Sequence, residues 1–174
     1  IELNEQCGED IWKGDDILGW MYENFNAVEK VQLKESGEKI EYDKVFLQSQ
    51  IYTPQWVVKF LVDNTLGKQY LEMYPDSRFM IDEETGKTKY LIANAPKQQV
   101  RHPKENGVLD IKLIDPACGS GNFLIYAFSV FYDMYVDQME NYGANFSRRD
   151  IPKLIVENNL YGVDLDERAV QLTQ

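Results

Sequence analysis

The chain has 174 residues, 44% of them hydrophobic, enough for one domain with a real core. Its 29 acidic against 18 basic side chains give a net charge of −11, which argues against a DNA-gripping surface, since such surfaces concentrate lysine and arginine. No hydrophobic run approaches a membrane span, no signal peptide is visible at the start, and the 2 cysteines, Cys7 and Cys118, suggest no disulfide framework and fit a reducing cytoplasm.

In chain order, Ile17, Leu18, Met21, Tyr22 and Phe25 form the apolar side of an amphipathic helix predicted over residues 11–28. Residues 31–45 are polar and carry Ser36-Gly37, which predicts a turn between two short extended segments. Thr53-Pro54 is a good helix start, because threonine can cap free backbone donors and proline fits the first helical position. Val57, Phe60 and Leu61 then face inward and Gly67 closes the helix. A second hairpin is expected where Phe79-Met80-Ile81 and Tyr90-Leu91-Ile92 flank Glu83-Glu84-Thr85-Gly86-Lys87. Residues 94–107 read as an exposed loop holding Lys97, Arg101, Lys104 and the single histidine, His102; Arg148-Arg149 is another solvated basic group.

The most informative stretch follows. Ile111-Lys112-Leu113-Ile114 predicts a short buried strand that ends at Asp115. Phe123, Leu124, Ala127, Phe128, Phe131 and Met134 recur at helical spacing, with Ser129, Asp133 and Asp137 as a narrow polar edge. Between strand and helix, Gly119 and Gly121 suit a turn that needs positive φ and lets backbone approach a ligand. A dinucleotide fold would have a third glycine where Leu124 stands, with the diphosphate on the helix N-terminus. Asp115 would repel a diphosphate but could accept hydrogen bonds from an ammonium group, so the implied ligand is a nucleoside carrying a cationic amino acid. Asn141-Tyr142-Gly143 stops the helix, and residues 151–157 form a short second one. Leu160 to Val163 reads as a second buried strand whose tip presents Asp164, where a carboxylate can take both ribose hydroxyls. Asp115 and Asp164 lie further apart than the ~20 residues of a minimal dinucleotide unit, a spacing the intervening second helix explains, and right-handed crossover makes the two strands parallel neighbours. Simpler roles stand beside these: Thr53-Pro54 as a mere cap, Asp115 as a turn former bonding its own backbone, and Asp166 as the cap of a helix starting at Glu167. Cys118 lies in a turn with no histidine nearby, which points to small-residue packing rather than a nucleophile.

Asp115-Pro116-Ala117-Cys118-Gly119-Ser120-Gly121-Asn122-Phe123-Leu124 resembles motif I of S-adenosylmethionine-dependent, adenine-specific DNA methyltransferases, the large enzymes of type I and IIG restriction-modification and of BREX (PglX-like) phage defence. Ile51-Tyr52-Thr53-Pro54-Gln55-Trp56-Val57-Val58 is similar to motif X, which in this class precedes motif I. Leu160-Tyr161-Gly162-Val163-Asp164-Leu165-Asp166, followed by Ala169-Val170, is similar to motif II, and Ile17-Leu18-Gly19-Trp20-Met21-Tyr22-Glu23 resembles the helix before motif X. A glycine turn alone is common, whereas three motifs in this order are specific. The resemblance spans most of the chain; residues 74–108 are unmatched and read as an insertion.

The resemblance implies an α/β architecture: the first parallel strands and helices of a partial Rossmann-like methyltransferase fold, preceded by a helical N-terminal segment. Residues 1–50 would form a helix and hairpin, and residues 51–174 the cofactor-binding half of the methyltransferase domain. Tyr52, Thr53 and Pro54 would border S-adenosylmethionine, with Thr53 near its carboxylate. Asp115, Pro116, Ala117, Gly119, Gly121, Asn122 and Phe123 would supply the motif I contacts, while Asp164 takes the ribose and Leu165 packs on the adenine ring; no metal is implied. The Asn/Asp-Pro-Pro-Tyr/Phe tetrapeptide that binds the target amino group and stacks on the flipped base is absent, so none of these residues is catalytic. Starting at Ile1 and stopping just after motif II, the chain reads as a piece truncated before that tetrapeptide and inactive alone. Family enzymes place target recognition in later domains, so the implied partners are DNA, reached through that missing portion, and other restriction or defence-system subunits. The implied function is adenine methylation in the bacterial cytoplasm. Two alternatives stay open: methylation of a protein or small molecule, because motif I alone is widely shared, and a non-catalytic module that senses the cofactor.

Overall fold

The computed structural model describes residues 17–37, 45, 51–81, 91–92 and 101–174. Helix α1 (Ile17–Ser36) runs past the predicted end at residue 28, so residues 31–36 are helical rather than extended. Glu29, Lys30, Gln32, Leu33, Lys34 and Glu35 all favour helix, and the first breaker is Gly37, at φ +65°. The rest of the expected N-terminal hairpin, and the start of the predicted helix before residue 17, lie outside the described residues. The apolar side of α1 is not its buried side: Phe25 is 75% exposed, while Asn26 is buried.

Helix α2 (Gln55–Val62) continues through a π-helical turn (Asp63–Gly67) into α3 (Lys68–Met73). Gly67 therefore does not close a helix; it holds ordinary helical angles and lies so close to Met80 that a Cβ would strike the sulfur. Pro54 is the N-cap rather than the first helical residue, and no side chain caps the helix, so Thr53 is not the predicted cap. The Pro54 carbonyl accepts from the N–H of Val57 at 2.9 Å. The inward residues are Val58 and Val62; Phe60 and Leu61 are exposed, contrary to the sequence expectation. The buried positions Val58, Val62, Leu66 and Tyr70 repeat every fourth residue, a period wider than 3.6, and the π turn keeps that stripe on one face.

Of the second hairpin, Phe79 and Met80 form a turn and Ile81 is a single bridge residue. Phe79 is held there edge-on against the ring of Tyr70, 4.8 Å between centroids. Residues 82–90 lie outside the described ones; residues 101–106 are exposed, as expected, with Arg101 paired to Glu72 at 2.8 Å.

A short 3-10 turn (Gly107–Asp110) leads into β1 (Leu113–Asp115) and then α4 (Asn122–Asn141). After α4 come α5 (Ile151–Asn158), β2 (Leu160–Gly162) and α6 (Glu167–Thr173). The strands pair in parallel, Leu113 beside Leu160 and Asp115 beside Gly162, the arrangement the crossover argument requires. They are not buried on both faces. Side chains alternate, so Leu113 and Leu160 pack on the core while Ile114 and Tyr161 remain 65% and 45% exposed. Helix α4 carries the core: Ala127, Phe131, Met134 and Tyr135 are fully buried against Val58, Tyr70, Ile151 and Ile155. It ends at Tyr142 and Gly143 (φ +70°), as predicted. Asp137, expected on a polar edge, is buried; it accepts from Tyr70 at 2.6 Å, Ser77 at 2.8 Å and Asn141 at 2.7 Å, and those donors make its burial affordable. No helix among the described residues is long and apolar enough to cross a membrane.

Asn159, fully buried, joins the two strands at their start. Its side-chain amide donates to the carbonyls of Val108 and Ile111, both at 2.8 Å, and its amide oxygen accepts from Tyr135 at 2.9 Å. Its backbone carbonyl also accepts from Leu113 N–H at 2.8 Å. Asn159→Leu strands the Ile111 carbonyl and the Tyr135 hydroxyl in the core, while the Val108 carbonyl keeps the Ile111 N–H, and is expected to lower stability by about 3 kcal/mol. Urea unfolding checks this: the midpoint falls with an unchanged slope.

Candidate functional site

The tips of β1 and β2 and the turn after β1 form one sewn unit. Val163 N–H donates to the Asp115 carbonyl at 2.9 Å, and Cys118 N–H donates to the Val163 carbonyl at 3.0 Å. Gly119 (φ +52°) and Gly121 (φ +87°) take the left-handed conformation predicted for the turn, and Gly121 is the N-cap of α4. Open space surrounds the place where a Gly119 Cβ would sit, so the turn presents bare backbone there. Ala on Gly162 would press into Leu124 at 2.9 Å and Cys118 at 3.0 Å, which shows how tightly the turn lies on β2. Cys118 is buried, and burial followed by the negative charges of Asp164 and Asp115 pushes its thiol pKa up; it is packing, not a nucleophile.

Asp115 ends β1 half-buried. One carboxylate oxygen accepts from Ala117 N–H at 3.1 Å, while the other, shielded from solvent, has no hydrogen-bond partner among the described residues. Burial raises its pKa, the Ala117 N–H lowers it, and the charge of Asp164 raises it again. Asp164, just past β2, accepts from Gly119 N–H at 2.7 Å through one oxygen and from Asp166 N–H at 2.9 Å through the other. Asp166 accepts from Arg168 N–H at 3.0 Å and caps α6, the cap role read for it from sequence. Leu165 between them is 70% exposed.

Asn122 ties the Tyr52-Thr53-Pro54 segment to this turn: its amide donates to the Thr53 carbonyl at 2.8 Å and accepts from the Gln55 amide at 2.6 Å. A hollow of about 250 Å³ lies beside Asp115, Pro116 and Phe123, walled by Leu61, Val62 and Thr65; Asp164 is not part of its lining. A larger one of about 690 Å³, on the Cys118–Gly121 flank between α4 and α6, is lined mainly by apolar side chains and by no carboxylate side chain. Sequence reasoning missed Gln55 and Thr173, whose hydroxyl donates to the Gly119 carbonyl at 2.8 Å. Both make single polar contacts between distant segments, which leave no periodicity to read.

With two acidic strand tips flanking a left-handed glycine turn, the comparisons with known proteins become specific. The MmeI, DNA-methyltransferase domain family matches residues 87–174, half of the chain, including both tips. The chain belongs to this family. The adenine-specific methyltransferase BrxX of Escherichia coli O9:H4 (strain HS) is 34% identical over 178 residues, 98% of this chain and 14% of that protein. The adenine-specific methyltransferase PglX of Lacticaseibacillus casei (strain Zhang) is 34% identical over 168 residues, 91% of this chain and 13% of that protein. The chain thus spans about one-seventh of these relatives, and it is related to the large adenine-specific methyltransferases that its motifs resemble. The family match covers the glycine turn and Asp164 but not Thr53 and its neighbours, which the match to BrxX includes.

Because the Asp115 pKa is raised, its ionisation costs the folded MmeI-family domain stability. That cost is absent well below the ordinary carboxylate range, where the group is protonated folded and unfolded alike, and it grows as pH rises through the raised folded value. Without methyl donor, Asp115→Asn is therefore expected to melt higher than wild type at pH 7, by about 1–2 °C given the solvent screening of a half-buried group. The gap closes as pH falls toward 3.8, and thermal melts across pH read it.

Proposed function

We propose that this chain holds S-adenosylmethionine for transfer of its methyl group to the exocyclic amino group of adenine in DNA, in a cytoplasmic protein of bacterial restriction-modification or phage defence. The observation that carries this reading is the shielded, unpartnered oxygen of Asp115 at one strand tip, with Asp164 at the neighbouring tip across a turn of bare backbone. A buried carboxylate oxygen without a donor is a cost that an ammonium group removes. Asp164, already facing backbone N–H groups, offers its acceptors to vicinal hydroxyls, and exposed Leu165 offers an apolar surface to a purine. Pro116, Ala117, Gly119, Gly121, Asn122 and Phe123 complete the turn; Tyr52, Thr53 and Pro54 border it through the Asn122 bond.

These donor and acceptor types suit S-adenosylmethionine, whose sulfonium makes the methyl group electrophilic. The chain's own residues bind and orient; none acts as general base, so their contribution is alignment of donor with acceptor. The β1–α4–α5–β2 unit is the opening of a Rossmann-like methyltransferase fold in this reading, with residues 51–174 as its cofactor half and residues 1–50 as a preceding segment. With a net charge of −11, the chain leaves DNA to later parts of the protein, alongside other defence-system subunits. The names of BrxX and PglX favour an adenine target over a protein or small molecule.

Calorimetry on the full-length protein tests the site. Asp164→Ala is expected to weaken S-adenosylmethionine binding by at least about tenfold, and unchanged affinity would remove its ribose role. Asp115→Asn is expected to lose affinity to a similar degree while gaining thermal stability. A purely structural aspartate would not give opposite signs. Methyl transfer to unmodified DNA by the full-length protein, with adenine as the modified base, tests the substrate.

A further inference from the structure

Helix α1 buries an unusual face. Gly19, Tyr22, Asn26 and Glu29 share one side at helical spacing, and Asn26 is 2% exposed, whereas the apolar residues Phe25 and Val28 point to solvent at 75% and 62%. A helix that hides Asn26 and exposes Phe25 and Val28 is positioned by specific contacts rather than by burial of a greasy stripe. Those contacts reach both cofactor loops. The Tyr22 hydroxyl donates to the Asp166 carboxylate, and the Arg168 guanidinium lies over the Tyr22 ring, 6.0 Å from its centre, and reaches Glu29 at 3.9 Å. One turn earlier, a Cβ on Gly19 would stand 2.6 Å from the Ser120 hydroxyl and 3.6 Å from the Tyr52 ring.

Asp166 is the pivot. It is 6% exposed; one carboxylate oxygen caps α6 and the other takes the Tyr22 hydroxyl, while its own N–H binds Asp164 at 2.9 Å. Arg168 and Tyr22 thus hold Asp166 from both sides, and Asp166 fixes the loop that carries Asp164 and Leu165. Burial raises the Tyr22 pKa and the bond to Asp166 raises it further, which keeps the hydroxyl protonated as a donor at neutral pH.

We propose that Tyr22 is a positioning residue for methyl-donor binding, acting through Asp166 to hold Asp164 and Leu165 in their binding arrangement. The inference rests on the cofactor reading above. In the full-length protein, Tyr22→Phe keeps the ring and its stacking on Arg168 but removes the donor. Calorimetry with S-adenosylmethionine is expected to show affinity weakened by about tenfold, the size of a lost hydrogen bond to a charged group, with most of the catalytic loss in KM for the donor rather than in kcat. Hydrogen exchange at the amides of Gly119 and Asp166, which donate to Asp164, is expected to quicken, while amides of α5 keep their protection. Wild-type affinity in Tyr22→Phe with binding lost in Asp164→Ala overturns the clamp and leaves the cofactor site intact. Wild-type affinity in Asp164→Ala overturns the cofactor reading itself. Uniformly faster exchange that includes α5 overturns the positioning role in favour of a general loss of stability.

Discussion

Asn159 sets the geometry on which the site depends. A two-stranded parallel sheet with three-residue strands has too few ladder bonds to fix its own register, and one slipped residue would turn each strand's side chains to the opposite face. A buried amide that binds carbonyls before β1 and the hydroxyl of Tyr135 on α4, from the residue just before β2, supplies that register from the side. Leu113 then falls beside Leu160, and two positions on, Asp115 falls beside Gly162. The acidic tips are neighbours because a polar side chain in the core says where both strands start. Burial pushes the Tyr135 pKa up to about 12, so the hydroxyl stays a donor to Asn159 throughout the physiological range.

The site runs the opposite policy. In the core, Asp137 and Asn159 have donors and acceptors matched, whereas at the strand tip Asp115 keeps an oxygen shielded and unpartnered. Unsatisfied buried acceptors destabilise a fold, so one at a strand end just before a turn of two left-handed glycines is where a binding partner would relieve most. The same contrast separates the two hollows: the larger is lined by apolar side chains on the Cys118–Gly121 flank, while the smaller touches Asp115.

How far the sequence could be read depended on whether a signal was local. The glycine turn, the α4 stop at Tyr142 and Gly143, the α5 helix and the Asp166 cap are governed by residues within a few positions of one another, and each was legible. So was the parallel pairing, because chain geometry leaves few other options. Errors arose where a distant partner decides. Asp137 reads as a surface residue until Tyr70 and Ser77 arrive with their hydroxyls. Gly67 reads as a helix stop until Met80 is seen to occupy the space of its side chain. Phe60 and Leu61 read as inward, but the stripe that packs on the core runs through Val58, Val62, Leu66 and Tyr70, and the π turn keeps that four-residue spacing on one face. On α1 the apolar pattern included Tyr22, which does face inward, but misplaced Met21 and Phe25, since what that helix meets is not a core but the polar loops of Ser120 and Asp166.

The π turn also connects packing to the site. A straight α-helix from Gln55 to Met73 would carry a stripe repeating every fourth residue around its axis, since each such step advances 400° rather than a full turn. Over the interval from Val58 to Tyr70 the drift would take Tyr70 well away from α4. The wider turn absorbs that drift, so Val58 can sit near the start of α4 while Tyr70 still meets Asp137 near its end. Both ends of the helix pair are then fixed: Tyr70 to Asp137 at one, and Gln55 and Thr53 to Asn122 at the other. The Tyr52-Thr53-Pro54 segment is thereby delivered to the glycine turn by a long packed lever rather than by local sequence. A residue inserted into or removed from the π turn would leave every side chain of the site unchanged in identity and still rotate that segment away from it.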